Sequence, residues 1–165
     1  MNYRLLALIG TLFTAILLTS CESTLDYGYY VEELNDETIL ELFALSDEAA
    51  SNQDFDVYKS FFSPNYVSID KSQGERSYTY RQDYLDIVES LFKTAKMFEV
   101  HTRVMDIEYS DSGYEAVVKI QEEEKSILAG NTRHYTSLLD VEVAIEDGWI
   151  FIDKTTRTSM QVIDE

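Results

Sequence analysis

The chain has 165 residues, 13 Lys and Arg against 31 Asp and Glu, a formal charge of -18 and 45% apolar types. That much apolar side chain builds the core of one domain and excludes a disordered chain, while so acidic a surface with no basic patch excludes nucleic-acid binding by charge neutralisation. One Cys and two His exclude thiolate metal clusters, zinc-finger spacing and internal disulfides, and neither metal nor cofactor is expected.

Met1 to Arg4 is a short, positively charged start, and Leu5 to Leu18 is an uninterrupted apolar run. The run falls short of the roughly 20 residues that span a bilayer but suits the h-region of an export signal, about 7 to 15 residues. It ends in Leu18-Thr19-Ser20-Cys21, which resembles the lipobox of bacterial lipoproteins. That resemblance implies cleavage before Cys21, lipid on its sulfur and acylation (palmitate or a similar chain) of the new amino group. Several acyl chains on one residue hold a protein stably on a membrane. The competing reading is a buried N-terminal helix with an incidental Cys. Glu22 stands where an Asp would favour inner-membrane retention, so the expected address is the bacterial outer membrane, facing the periplasm. Losing residues 1–20 removes one charge, Arg4, and leaves the body more acidic, so attachment must come from lipid rather than a basic face. The expected organisation is a signal peptide over 1–20, the lipidated Cys and a tether over 21–34, and a folded domain over 35–165.

The first helix is announced by Asn35 as cap, Asp36 and Glu37 in the first turn, and Leu34 against Ile39 as a hydrophobic staple. It runs to about Ser51 with Ile39, Leu42, Phe43 and Ala50 on one face. A second, short helix follows Asp54 with Phe55, Tyr58, Phe61 and Phe62 inward and stops at Ser63-Pro64. Tyr66 to Asp70 and Arg76 to Tyr78 flank a turn at Ser72-Gln73-Gly74 and make a small hairpin. Thr79 and Gln82 read as a capping box opening a third helix, whose stripe is Tyr84, Leu85, Val88, Leu91, Phe92 and Ala95.

From Met97 onward the apolar period is two, and turns at Ser112-Gly113, Gly130-Asn131 and Asp147-Gly148 divide four antiparallel strands. Two-residue turns align Met105, Ile120 and Val141, then Ile107, Val118 and Val143, then Tyr109, Ala116 and Ile145. They also place Lys119 between Asp106 and Glu142 on the opposite face. The last turn leaves two registers open. A three-residue Glu146-Asp147-Gly148 loop turns Trp149, Phe151, Asp153, Thr155 and Arg157 inward, and a two-residue loop turns Ile150, Ile152 and Lys154 inward.

The order helix, helix, hairpin, helix, meander resembles the nuclear-transport-factor-2-like, or SnoaL-like, superfamily over residues 35 to 162. The resemblance is carried by Asn52-Gln53-Asp54-Phe55-Asp56, by Tyr58-x-x-Phe61-Phe62-Ser63-Pro64-Asn65-Tyr66-Val67, and by Glu146-Asp147-Gly148-Trp149-Ile150-Phe151-Ile152. It implies an α+β fold in which three N-terminal helices and a small hairpin pack into a strongly curved four-stranded meander, a cone-like barrel with a cavity. It also implies an inward Trp149 and, in many members, a homodimer through the sheet face. Where some relatives place histidines in the last strand, this chain has Asp153 and Thr155.

Extending the registers sets Arg103 opposite Glu122 and His101 opposite Glu124 on the core face, beside Ser137 and Tyr135, with Arg157 joining them if Trp149 is inward. Glu124 would then orient His101 as a proton carrier, and Arg103 or Arg157 would stabilise a developing anion. Glu122, Tyr135, Ser137, Asp153, Thr155 and Arg157 are the corresponding ligand-binding candidates. The opposing reading is a β-bulge near Val104, where the apolar parity changes from Phe98, Val100 and Val104 to Met105, Ile107 and Tyr109; it would send His101 and Arg103 to solvent. His134 lies near a turn, and a metal held by both histidines would need two strand positions to converge. Two functions follow. The favoured one is a non-catalytic envelope lipoprotein whose cone binds a small amphipathic molecule or whose sheet docks a partner. The other is a lyase or isomerase of dehydratase type using His101 with Glu124, a reading lost if His101 faces solvent on the convex side.

Overall fold

The computed structural model describes residues 29–164; the apolar leader, Cys21 and the tether up to residue 28 lie outside the described residues. Strand β1 (Tyr29–Tyr30) leads to helices α1 (Asp36–Ser51) and α2 (Phe55–Ser60) and strands β2 (Phe62–Asp70) and β3 (Ser77–Tyr80). Helix α3 (Arg81–Thr94) then precedes β4 (Met97–Tyr109), β5 (Glu115–Leu128), β6 (Asn131–Glu146) and β7 (Trp149–Asp164).

The helices start for the local reasons visible in the sequence, with one exception. The Asn35 side chain accepts from the Thr38 amide while Thr38 Oγ1 accepts from the Asn35 amide, both at 3.0 Å, and Leu34 and Ile39 are both buried. Asp54 caps α2 by accepting from the Val57 amide at 3.2 Å. The expected Thr79 capping box does not form: Thr79 belongs to β3, and α3 begins after Tyr80 without a side-chain cap. A strand pairing with β2 claims Thr79 before the helix can use it.

The sheet is larger than a four-stranded meander. Its order is β3-β2-β7-β6-β5-β4, with β1 also paired to β7. The hairpin of β2 and β3 is part of this sheet because β2 starts at Phe62, through Pro64, and pairs parallel to β7. The end of the expected tether is also docked: Val31 and Leu34 are buried in the core, and Tyr30 meets Trp149 edge-on at 6.0 Å between centroids.

Irregularities in the ladder bend the sheet around the helices. The extra residues are Met105 on β4 and Asp153 and Thr158 on β7, and each such bulge increases local twist. Ile39, Leu42, Val118, Val141 and Ile150 form the fully buried centre of the core, each contributing about 1.5–3 kcal/mol of burial. Strand β4 is the edge of the sheet and α1 covers it. Asp47 accepts from the Thr102 amide at 2.6 Å and from Thr102 Oγ1 at 2.8 Å, and Ser51 Oγ accepts from the Val100 amide at 3.1 Å. Backbone groups that would template another strand are thereby satisfied.

One turn differs from expectation, and at another the structure decides between the two loops left open. Leu128 pairs with Asn131, so the loop is Ala129-Gly130, and Ile120 faces Leu139 while Val118 faces Val141. The faces are unchanged because the shift is two residues. On the outer side, Lys119 bridges Asp106 and Glu108, while Glu142 pairs with Lys154, which replaces the expected Asp106-Lys119-Glu142 row. The last turn is the two-residue Asp147-Gly148 loop, since Glu146 pairs with Trp149. Both residues have positive φ, 52° and 83°, the primed turn for which Asp-Gly is suited. Trp149 is therefore half-buried under Tyr30 rather than inward.

Candidate functional site: a cone cavity with a carboxylate wall

The three helices and the concave face of the sheet enclose a cavity of about 220 Å³. Phe43, Val88, Phe92, Phe98, Ile120 and Leu139 supply its apolar side, and Asp47, Thr102, Glu122, Glu124, Thr155 and Arg157 its polar wall. Tyrosines line the seam between the two. Tyr58 and Tyr84 join their hydroxyls at 2.9 Å, and the Tyr66 hydroxyl meets Thr155 Oγ1 at 2.7 Å. Tyr58 packs edge-on against Phe92, and Tyr66 and Tyr84 lie 4.9 Å apart.

The bulge at Met105 decides which side chains reach this space. Val104 pairs with Ile120 and Asp106 with Lys119, leaving Met105 as the extra residue, 56% exposed. Beyond it the parity of β4 inverts. His101 pairs with Glu123 and Arg103 with Gln121, and both side chains are exposed on the convex side. The expected His101–Glu124 and Arg103–Glu122 pairs are thus not formed, and Thr102, Val100 and Phe98 face the cavity in their place.

A second bulge settles the two registers left open for β7. The two-residue loop turns Ile150 and Ile152 inward, and the extra residue Asp153 then inverts the parity so that Thr155 faces Val141 and Arg157 faces Leu139. The two-residue register holds over 149–152 and the inward parity of the three-residue register over 154–157, until the extra residue Thr158 inverts it again. Asp153 itself lies in the bulge and does not line the cavity. Ser137 and Tyr135 pair with Glu122 and Glu124, which keeps them on the concave face, Ser137 buried and Tyr135 half-buried.

Burial dominates the electrostatics. It raises Glu122 above the ordinary carboxyl range; Arg157 opposes this and Asp47 adds to it. Burial, followed by the charge of Glu122, pushes Glu124 up to about 7 against the pull of Arg157. Asp47 is raised by burial although it accepts both hydrogen bonds from Thr102. Tyr66 is pushed up to about 12, and Tyr58 and Tyr84 well above their ordinary value, by burial first. Arg157 Nη1 donates to Asp70 Oδ2 at 3.2 Å. Partial burial of Asp70 works in the opposite sense, but hydrogen bonds from Ser72, reinforced by Arg157, hold it below the usual carboxylate range.

A carboxyl titrating near neutrality inside an apolar enclosure can accept, hold or return a proton. The tyrosine pair stays protonated, and since one hydroxyl proton makes the bond between them, the other is free to donate. Among the described residues, no group of three or more His, Cys, Asp and Glu is arranged to hold a metal ion. Sequence reasoning missed Asp47, Thr102 and Ser68 and read Tyr58 and Tyr84 only as core. A signal was present: Asp47 falls between Phe43 and Ala50 on the buried stripe of α1, and both tyrosines carry hydroxyls on inward stripes that need partners.

No family model matches the chain, and no curated protein sequence matches it. Solved structures do. A scytalone dehydratase-like protein from Novosphingobium aromaticivorans superposes with a TM-score of 0.67 at 12% identity, over 78% of this chain and 86% of that one. A hexachlorocyclohexane dehydrochlorinase, LinA type 2, gives 0.61 at 10% identity, over 77% and 87%. A protein of unknown function from Silicibacter pomeroyi, described as like nuclear transport factor 2, gives 0.50 at 12% identity, over 77% and 94%. The chain shares the cone-shaped α+β fold of these structures.

Proposed function

We propose that the protein is a lipid-anchored lipoprotein of the bacterial envelope whose cone domain holds one small amphipathic molecule. The observation that carries the binding reading is the cavity of about 220 Å³ with an apolar side and a polar wall of Glu122, Glu124, Thr155 and Arg157. An apolar cavity of about 150 Å³ is known to hold benzene, so this one suits a single ring or a short branched chain with a polar end. Ligand pockets of this kind combine apolar lining with a few convergent polar groups. Native mass spectrometry of the purified chain should show a small copurifying mass, displaced in a cavity-filling Leu139→Phe variant. An adduct retained in that variant would place the ligand elsewhere. The anchor rests on Leu18-Thr19-Ser20-Cys21; Cys21→Ala should move the protein out of the membrane fraction, and unchanged fractionation would refute it.

A second reading is favoured by the ionisation of Glu124 near 7. In it the cavity performs lyase or isomerase chemistry with Glu124, rather than the solvent-facing His101, as the proton carrier. Superfamily fold alone says little about chemistry, so the reading stands on this residue. Deuterium exchange at the α-carbon of a small cyclic ketone, followed by NMR, should be accelerated by the protein and lost in Glu124→Gln. No acceleration removes the reading.

A further inference from the structure

We infer that the molecule held in the cone is a small organic cation with an apolar or aromatic body, its charge seated between Glu122 and Glu124. The inference rests on the reading of the cavity as a binding site and goes on to name the chemistry of the occupant. Three carboxylates, Asp47, Glu122 and Glu124, face the cavity against one guanidinium, that of Arg157. Arg157 is already engaged by a fourth carboxylate, Asp70. Asp47 is satisfied by Thr102. Glu122 and Glu124, by contrast, receive no hydrogen bond from any described residue, and both line the cavity.

An ionised carboxylate in such a place is costly unless it is neutralised or paired. Two solutions exist, a bound proton or a bound cation. Burial pushes both residues toward the first. The second is a ligand whose ammonium replaces the proton, while the rings of Tyr58, Tyr84 and Phe92 along the cavity supply the aromatic surface that attracts organic cations. Binding then releases a proton near neutral pH. The groups facing the pair are Asp47 from α1, Tyr58 from α2, Tyr66 from β2, Tyr84 from α3, Tyr135 from β6 and Arg157 from β7. Burial keeps Tyr58, Tyr66 and Tyr84 protonated, so Glu124 sets the pH dependence.

The test is isothermal titration of the purified full chain with three probes of one size: benzylamine, benzyl alcohol and benzoate. Benzylamine should bind about tenfold or more tighter than benzyl alcohol, with benzoate weakest. Its affinity should rise about tenfold per pH unit up to pH 7 and then level off. Glu122→Gln and Glu124→Gln should each weaken benzylamine by a larger factor than benzyl alcohol, and equal losses for the two probes would overturn the charge-specific seat. Equal binding of alcohol and amine would overturn the cation while leaving the amphipathic pocket standing. Preferential binding of benzoate would overturn it in favour of Arg157 as the selecting group. Failure of all three would remove the pocket reading with it. The pH and probe series on the natural sequence decides even where a variant fails to fold.

Discussion

Asp106 and Glu108 on β4 and Glu122 and Glu124 on β5 are two carboxylate pairs on adjacent strands, and their electrostatics are opposite. The outer pair flanks Lys119 at 2.9 and 2.7 Å in open solvent, and hydrogen bonding and charge from Lys119 hold Asp106 below the ordinary carboxylate range. The inner pair has no lysine, and burial raises it. Residue type and spacing are alike; which face of the sheet each pair occupies makes the difference. Water screens and solvates the outer charges, whereas the enclosed pair must be compensated by a proton or a partner.

The largest test of this contrast is the pH dependence of stability. Glu124 titrates at about 7 in the fold against an ordinary value of 4.5, so between those values the native state holds a proton that the unfolded chain has released. Stability therefore falls as pH rises through that window, by up to about 3 kcal/mol at pH above 7. Glu124→Gln should flatten this slope in urea unfolding at pH 5 and pH 8; an unchanged slope would show that the carboxyl is solvated. Next in size, Val104→Ala should cost about 1–2 kcal/mol because Val104 packs on the core, whereas Met105→Ala at the exposed bulge should stay within about 0.5 kcal/mol. Reversed magnitudes in thermal or urea unfolding would mean the bulge lies elsewhere. His101→Ala should change neither stability, within about 0.5 kcal/mol, nor benzylamine affinity, since the ring faces solvent. Smallest of all, Lys119→Met should lower the melting temperature slightly at low salt and not at high salt, because its ion pairs are exposed. A loss that persists in high salt would argue for a packing role.

Most of the architecture was legible because it is written in local chemistry. Asn35 and Asp54 are caps wherever a helix follows them, and Leu85, Val88 and Phe92 can share a buried face only on a helix. The Ile107–Val118 and Tyr109–Ala116 pairs followed from the Ser112-Gly113 turn. The parity change around Val104 was also in the sequence, but it was compatible with either face until the strand was paired. The β7 register failed as a choice between two because the strand uses both parities, switching at Asp153 and again at Thr158. Joining β2 to β7 in parallel was illegible for a further reason, since partners so distant in sequence leave no local pattern.

The amino-acid order alone determined an acidic chain with three amphipathic helices and a period-two second half, and it carries the Leu18-Thr19-Ser20-Cys21 on which the proposed anchor rests. Helix caps, turns and apolar periods act between residues a few positions apart, so they can be read without the fold. Tertiary structure alone decided that Glu122 and Glu124 face Asp47, Tyr58, Tyr84 and Arg157 while His101 and Arg103 face water. A single extra residue inverts every side chain beyond it, and where the extra residue sits is set by how the sheet must bend to close over the helices.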